Sequence, residues 1–156
     1  MKDYILYGFG GHGRVIKDAI EKNGNQVIHV FDQDHPYDPT IFPNAELIIA
    51  IGNNGIRKKI ATEIAHPLGI VIHPSASIAQ DVTIEKGTVV LANAVIQTGS
   101  SIGKNCIINA NVTIDHDAVI EDEVSIYPGS YIGGEAKITQ GKMIDPNTTI
   151  VRNSVI

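Results

Sequence analysis

The segment Asp115-His116-Asp117 contains the residue types needed for acid–base chemistry. An imidazole titrates near neutral pH, so it can remove a proton from an attacking amine or hydroxyl. A carboxylate beside the ring raises the pKa of the imidazole. His116 is therefore a candidate general base, with Asp117 as the residue that tunes it. The alternative is that His116 is only a solvated residue of a turn.

A second candidate site is the glycine-rich loop near the N-terminus. Gly8, Gly10 and Gly13 satisfy the pattern G-x-G-x-x-G, and Asp32 follows nineteen residues after Gly13. In this layout backbone N–H groups hold a phosphate, and a carboxylate binds a ribose or a base. The α/β segment is too short for the usual dinucleotide site and better matches one nucleotide, such as the UDP of an activated sugar. The alternative is a glycine turn needed only for tight packing.

A six-residue repeat positions the His116 segment. Every sixth residue from Ile72 to Ile156 is Ile or Val, without interruption. Four residues after each of them comes a small or short β-branched residue, and only Lys142 breaks this second series. A helix of 3.6 residues per turn cannot keep this phase. Cys106 occupies one of the small positions, so we expect a buried packing thiol and not a nucleophile.

The repeat predicts a parallel β-helix in which each hexapeptide forms one short strand and one corner. Stacked coils satisfy each other's backbone groups and bury a continuous column of aliphatic side chains. Three hexapeptides make one triangular coil, so the repeat predicts a little under five coils. His116 falls at a corner, where its side chain should point outward.

The residues before the repeat predict a small α/β unit with a parallel sheet. We expect strands at 3–8, 26–31 and 46–51, helices at about 12–23 and 54–65, and a polar loop at 32–44. His66-Pro67 ends the second helix. We therefore predict two domains, 1–68 and 69–156.

Composition excludes several other classes of protein. The net charge is −5, and no cluster of Lys or Arg suggests binding to nucleic acid. No apolar run is long enough for a signal peptide or a membrane span. The chain has one Cys, which agrees with a reducing compartment. We therefore expect a cytoplasmic protein without nucleic-acid or membrane partners.

The chain resembles the NeuD/PglD sugar acyltransferases over nearly its whole length. This family includes sialic-acid O-acetyltransferases and UDP-4-amino-sugar N-acetyltransferases, and the run IGNNGIRKKI is most similar to the latter branch. The segments that carry the resemblance are Gly10-Gly11-His12-Gly13, Ala50-Ile51-Gly52-Asn53-Asn54, Arg57-Lys58-Lys59, Ile72-His73-Pro74 and Asn109 with Asp115-His116-Asp117.

The resemblance implies a fold and an activity. The fold would be a Rossmann-like half domain followed by a left-handed β-helix that forms a homotrimer. The activity would be N-acetylation of a UDP-linked amino sugar by acetyl-CoA, with transfer directly from the thioester. A sugar O-acetyltransferase is the nearest alternative.

The resemblance also implies roles for individual residues. His116 would be the general base and Asp117 its modulator. The nucleotide sugar would be bound by Gly10, Gly11, His12, Gly13, Asp32, Asn53, Asn54, Arg57 and Asn109. Acetyl-CoA would be bound by Gly129, Gly133 and Gly134, and by Ser125 at a position where the family usually has a second His.

Two departures from the family pattern favour a further alternative. Ser125 carries no switchable charge, and the sequence stops at Ile156 in the middle of a repeat. The chain could therefore be shortened or have a covered end, and it could be a noncatalytic nucleotide-sugar-binding or scaffold subunit.

The other histidines give weaker signals. His12 could cap the following helix, His73 is interpreted as structural, and His29, His35 and His66 have no spacing that suggests a role. A zinc hydrolyase of the γ-carbonic-anhydrase type would need converging His ligands from neighbouring coils. The repeat contains only His73 and His116, so we predict no metal.

Overall fold

The N-terminal part is a small α/β unit built on a three-stranded parallel sheet. A computed structural model describes all residues, 1–156. Strands β1 (Asp3–Tyr7), β2 (Gln26–Phe31) and β3 (Glu46–Ile49) lie in the order β2-β1-β3. Helix α1 (Gly11–Lys22) joins β1 to β2, and helix α2 (Asn54–Glu63) follows β3. The strands and helices predicted for this part are all present, with ends that differ by a few residues at most.

The rest of the chain is a parallel β-solenoid of fourteen two-residue strands. They form three sheets of five, five and four strands, and each strand pairs in parallel with the strand eighteen residues away. This arrangement makes four complete coils and part of a fifth. The strands are β4 (Val71–Ile72), β5 (Ser77–Ile78), β6 (Thr83–Ile84), β7 (Val89–Val90), β8 (Val95–Ile96), β9 (Ser101–Ile102), β10 (Ile107–Ile108), β11 (Thr113–Ile114), β12 (Val119–Ile120), β13 (Ser125–Ile126), β14 (Tyr131–Ile132), β15 (Lys137–Ile138), β16 (Met143–Ile144) and β17 (Thr149–Ile150).

The aliphatic residues of the repeat form the core of the solenoid, as predicted. Every sixth residue from Val90 to Ile144 is buried. The small residues of the second series pack between them, and Cys106 is among these. Burial raises the pKa of the Cys106 thiol to about 11, so the thiol stays neutral and packs as a small apolar group.

The corners of the solenoid are formed by a third series of residues. This series was not recognised from the sequence. Twelve positions spaced six apart, from Gly87 to Asn153, all have positive φ. This left-handed conformation is unfavourable for most L-residues, and Gly, Asn and Asp tolerate it best. Nine of the twelve are Gly or Asn and one is Asp117. The spacing of these residues was therefore a readable signal for the corners.

The N-terminal unit covers the face formed by β4, β7 and β10. The outward side chains of these strands pack in one cluster with Leu6, Ile16 and Ile20 of the sheet and α1. Leu91 and Ile107 belong to that cluster. The chain's own N-terminal unit therefore covers these two outward aliphatic residues. Val119 and Val151 remain exposed. Neither helix is long and apolar enough to cross a membrane.

The corners provide a test of the fold through two glycines with similar backbone angles. Gly87 (φ 81°) and Gly141 (φ 74°) both lie in the left-handed region, where a side chain costs about 1–2 kcal/mol. A Cβ on Gly87 would also lie 1.9 Å from Oδ1 of Asn105, whereas a Cβ on Gly141 would have no atom within 4 Å. Gly87→Ala should therefore lower the urea midpoint clearly more than Gly141→Ala. If the urea midpoints of the two variants, measured at the same protein concentration, fell equally, this account of the corner would be contradicted.

Candidate active site

His116 lies at the corner between β11 and β12, beside the carboxylate of Asp117. The distance from His116 Nδ1 to Asp117 Oδ2 is 2.8 Å. A carboxylate only accepts hydrogen bonds, so Nδ1 carries the proton and Nε2 presents its lone pair. The hydrogen bond to Asp117 is the main cause that raises the pKa of His116, and the negative charges of Asp115 and Asp117 add to it. The arrangement is that of an exposed imidazole tuned by carboxylates.

Asp115 holds the backbone of this corner. Its Oδ1 accepts a hydrogen bond from the His116 N–H at 2.8 Å, and its Oδ2 accepts one from the hydroxyl of Tyr131 at 2.7 Å. From the coil below, the Ser100 hydroxyl donates to the Asp115 carbonyl at 2.8 Å. Tyr131 was not predicted as a site residue, although it lies eighteen residues after Thr113 and therefore on the next coil.

The His116 imidazole packs against the backbone of Gly134. A Cβ on Gly134 would lie 2.9 Å from Nε2 and 3.1 Å from Cε1 of His116. The Nε2 end of the imidazole ring therefore lies against bare backbone. Gly133 has a different reason to be glycine, because a Cβ there would lie 2.6 Å from the backbone nitrogen of Arg152. Gly129 has positive φ at a corner.

The glycine loop and Asp32 line one cavity of 730 Å³ at the end of the small sheet. Its lining residues are Tyr7, Gly8, Phe9, Gly10, Asp32, Gln33, Asp34, Pro36, Tyr37 and Ile51. Helix α1 begins at Gly11, next to this cavity, and free N–H groups at a helix start favour an anion. The structure thus brings together the loop and the carboxylate that the sequence analysis had paired.

The individual residues of this cavity have distinct roles. No atom lies within 4 Å of a Cβ on Gly10 or Gly11, so their backbone can be approached, whereas a Cβ on Gly13 would lie 2.7 Å from the Gly8 carbonyl oxygen. Gly13 therefore serves strand–helix packing. Asp32 Oδ1 accepts hydrogen bonds from the N–H groups of Asp34 and His35. These bonds, with His35 first, hold the pKa of Asp32 below its usual range.

His12, expected among the residues that bind the nucleotide sugar, does not line the 730 Å³ cavity. It lines a separate cavity of 280 Å³ between the N-terminal unit and the solenoid, together with Gly52, Ile107, Asn109, Ser125, Ile126 and Tyr127. Burial, and then the charge of Arg57, lower the pKa of His12 to about 4. His12 is therefore neutral at physiological pH, and its buried Nε2 has no protein partner. His12 and Asn109 thus line the same cavity.

Arg57 does not line the 730 Å³ cavity either, because its side chain joins α2 to the solenoid. The side chain is 1 % exposed. Its five N–H donors bind protein groups: the carbonyls of Asn105, Ile51 and Gly52, and the side-chain oxygens of Asn54 and Ser125. The expected role in binding a nucleotide is therefore replaced by a structural one.

Asn53, Asn54 and Ser125 also have structural partners. Asn53 caps α2, since its side chain accepts a hydrogen bond from the Ile56 N–H at 3.0 Å. Asn54 donates to the carbonyls of Gly141 and Lys142 and accepts from the Ser125 hydroxyl at 2.6 Å. The Ser125 hydroxyl is thus occupied inside the protein, and its expected contact with acetyl-CoA finds no support here.

Within one chain, His116 and the His12 cavity lie at different corners of the solenoid. Asn109 follows β10 in the first sheet, whereas His116 follows β11 in the second. No group of three His, Cys, Asp or Glu side chains is arranged to hold a metal ion.

These features define a class of protein: a hexapeptide solenoid with an imidazole at one corner, preceded by an α/β unit with a glycine loop. Residues 3–64 match the family model of the PglD N-terminal domain. Residues 81–116 and 99–134 match that of the bacterial transferase hexapeptide. The chain therefore contains a PglD-type N-terminal domain and a bacterial transferase hexapeptide repeat, as the sequence motifs predicted.

Individual relatives are acetyltransferases. The chain is 30 % identical over 115 residues to the UDP-N-acetylbacillosamine N-acetyltransferase of Bacillus subtilis (strain 168), and the match covers 59 % of this chain and 52 % of that enzyme. The chain thus matches about half the length of this curated relative.

Two solved structures are similar over the whole fold. The acetyltransferase domain of PglB from Neisseria gonorrhoeae FA1090 is 26 % identical with a TM-score of 0.74, over 100 % of this chain and 91 % of that one. The same domain in complex with acetyl coenzyme A gives a TM-score of 0.71 at 26 % identity, over 99 % of this chain and 90 % of that one.

The hydrogen bond between His116 and Asp117 predicts the titration of the imidazole. Asp117→Asn removes the carboxylate while keeping a residue that tolerates positive φ, so the pKa of His116 should fall. An NMR titration of the imidazole would measure the change. Asp145→Asn removes one negative charge at another corner and should leave the His116 pKa in place. An unchanged pKa in Asp117→Asn would show that this hydrogen bond does not control the base.

Proposed function

We propose that the protein is an acetyltransferase that transfers the acetyl group of acetyl-CoA to the amino group of a UDP-linked amino sugar in glycan biosynthesis. The observation that carries the proposal is the exposed imidazole of His116, with Asp117 on Nδ1 and bare backbone at Gly134 beside Nε2. The named activity of the Bacillus subtilis relative supports it.

The chemistry follows from the lone pair on Nε2 of His116. This nitrogen takes a proton from the sugar amine as the amine attacks the thioester carbonyl carbon. A C–N bond forms, the C–S bond breaks, and the imidazolium returns the proton to the departing CoA thiolate. Asp117 stabilises the imidazolium through its hydrogen bond and charge. No covalent enzyme intermediate is needed, which agrees with the buried, neutral state of Cys106.

Acetyl-CoA fits the surface around His116. The absence of a side chain at Gly134 lets the His116 ring lie against the backbone, which fixes the ring beside the surface to which we assign the thioester. We assign the pantetheine arm to the backbone of Gly129, Gly133 and Gly134. The complex of the Neisseria domain with acetyl coenzyme A supports this donor.

The nucleotide sugar is assigned to the N-terminal unit, which we infer to be a Rossmann-like half domain. The diphosphate would bind the N–H groups of Gly10 and Gly11 at the start of α1, where the N-terminal end of the helix favours negative charge. Asp32 would contact the base or ribose from the wall of the 730 Å³ cavity. Neutral His12 and Asn109 would contact the acceptor sugar in the neighbouring cavity.

We further propose two domains, 1–68 and 69–156, a left-handed winding of the solenoid and a cytoplasmic location. Their support is the family, together with a single free Cys106 that suits a reducing compartment.

The base assignment predicts the effect of removing the imidazole. His116→Ala should reduce turnover of acetyl-CoA with a UDP-4-amino sugar by at least about a hundredfold, because a positioned base contributes about 10²–10⁴-fold. Release of the CoA thiol measures the rate. His73→Ala removes the other His of the repeat and should retain activity. A His116→Ala variant at full rate would eliminate the base, and UDP-sugar binding without acetyl-CoA binding would favour a noncatalytic subunit.

A homotrimer would complete the site. Because His116 and the His12 cavity occupy different corners of one chain, a three-fold arrangement could bring His116 of one copy to the cavity of the next. It would also cover exposed apolar residues such as Val119 and Val151, and a cyclic arrangement closes on itself. Light scattering should give about three times the 16.7 kDa chain mass. A monodisperse monomer at micromolar concentration would contradict a shared site.

A further inference from the structure

The wall of the 730 Å³ cavity is largely a loop without regular structure. Five of its ten lining residues, Asp32, Gln33, Asp34, Pro36 and Tyr37, lie in the segment 32–44 between β2 and β3. No helix or strand hydrogen bonds hold this segment. Its position therefore depends on a small number of specific contacts, and those contacts determine the shape of the cavity.

His66 supplies two of these contacts. It lies after α2, in the segment that leads to the solenoid, and it is 5 % exposed. Its Nδ1 is 2.9 Å from the hydroxyl of Tyr37, and its Nε2 is 2.9 Å from the carbonyl oxygen of Ile41. Both ring nitrogens thus bind the 32–44 loop, and Tyr37 itself faces the cavity.

The partners select one tautomer of the neutral imidazole. The Ile41 carbonyl can only accept, so in the neutral ring Nε2 of His66 donates and Nδ1 accepts from the Tyr37 hydroxyl. The Tyr37 oxygen in turn accepts from the Ala65 N–H at 2.9 Å. The Tyr37 ring also packs on Phe31, with centroids 5.1 Å apart. The network is fully satisfied, and such networks rigidify their surroundings.

The segment that carries His66 is itself fixed to the sheet. The Leu47 N–H donates to the Pro67 carbonyl at 2.8 Å, and the Gly69 N–H donates to the Leu47 carbonyl at 3.0 Å. His66 therefore connects the cavity wall to β3 and to the segment that leads into the solenoid.

We propose that His66 is a positioning residue for nucleotide binding, which it supports through Tyr37 without touching the ligand. This inference rests on the proposed function, because it takes the 730 Å³ cavity as the UDP site. A wall held in its bound shape lowers the ordering cost of binding. Loss of the network should therefore weaken binding of UDP but not of acetyl-CoA, whose assigned surface lies on the solenoid.

The test compares UDP and acetyl-CoA binding to the full chain by calorimetry. Tyr37→Phe keeps the ring but leaves Nδ1 of His66 and the Ala65 N–H unpaired, and His66→Phe removes both bonds to the loop. Each variant loses two buried hydrogen bonds and should raise the Kd for UDP at least about tenfold, with the Kd for acetyl-CoA unchanged. Combining them should add little, because both remove the same link. His29→Phe is the matched control: it packs on Phe31 at 4.6 Å, and UDP affinity should be retained.

Hydrogen exchange keeps the outcomes separate. The amides of residues 32–44 should exchange faster in both variants, while those of β11 and β12 stay protected. Unchanged UDP affinity in both variants overturns the proposal, and so does a parallel loss of UDP and acetyl-CoA binding, which would mean general unfolding. If the wild type bound no UDP, the proposed function would fail instead, and the exchange of the loop alone would decide whether His66 holds it.

Discussion

The eighteen-residue register of the solenoid is the constraint on which the rest of the structure depends. Parallel pairing places each residue directly against the residue one coil away, so a side chain at a corner finds its neighbours by counting eighteen. Gly134 lies against the His116 ring for this reason, and the Ser100 hydroxyl accepts a hydrogen bond from the Ala118 N–H in the same way. A change at one position is therefore felt by a residue distant in sequence, and the geometry of the base is built by the stacking of coils.

This register explains which features could be predicted from the sequence. The aliphatic and small-residue series predicted the core, since their period is local and repeats many times. His116 could be placed at a corner for the same reason. The Gly and Asn series at the corners carried equally strong information and would have explained why Asp117, as a residue that tolerates positive φ, occupies its position.

The contacts between the two units could not be predicted in this way. Arg57 and Asn54 belong to a motif that suggests ligand binding. The same polar groups can instead be buried and join two parts of the protein, and the motif does not distinguish these roles. Whether such a group faces solvent or another unit depends on how the units dock, and no local pattern records this. The same holds for His12, which the resemblance suggested as a nucleotide-sugar contact and which lines the cavity between the two units with Asn109.

The packing of the N-terminal unit on the solenoid also gives His116 and His12 different chemical properties. The exposed His116 lies among carboxylates that raise its pKa, so it can exchange a proton near neutral pH. His12 is buried beside the guanidinium of Arg57, and both burial and charge disfavour its protonated form. Arg57 has no carboxylate partner within the interface and is held only by neutral oxygens. Removing any of these oxygens would leave a buried charge poorly solvated, which costs several kcal/mol. The two units therefore dock in one specific arrangement. That arrangement keeps His12 neutral, as a group that forms hydrogen bonds, and leaves proton transfer to His116.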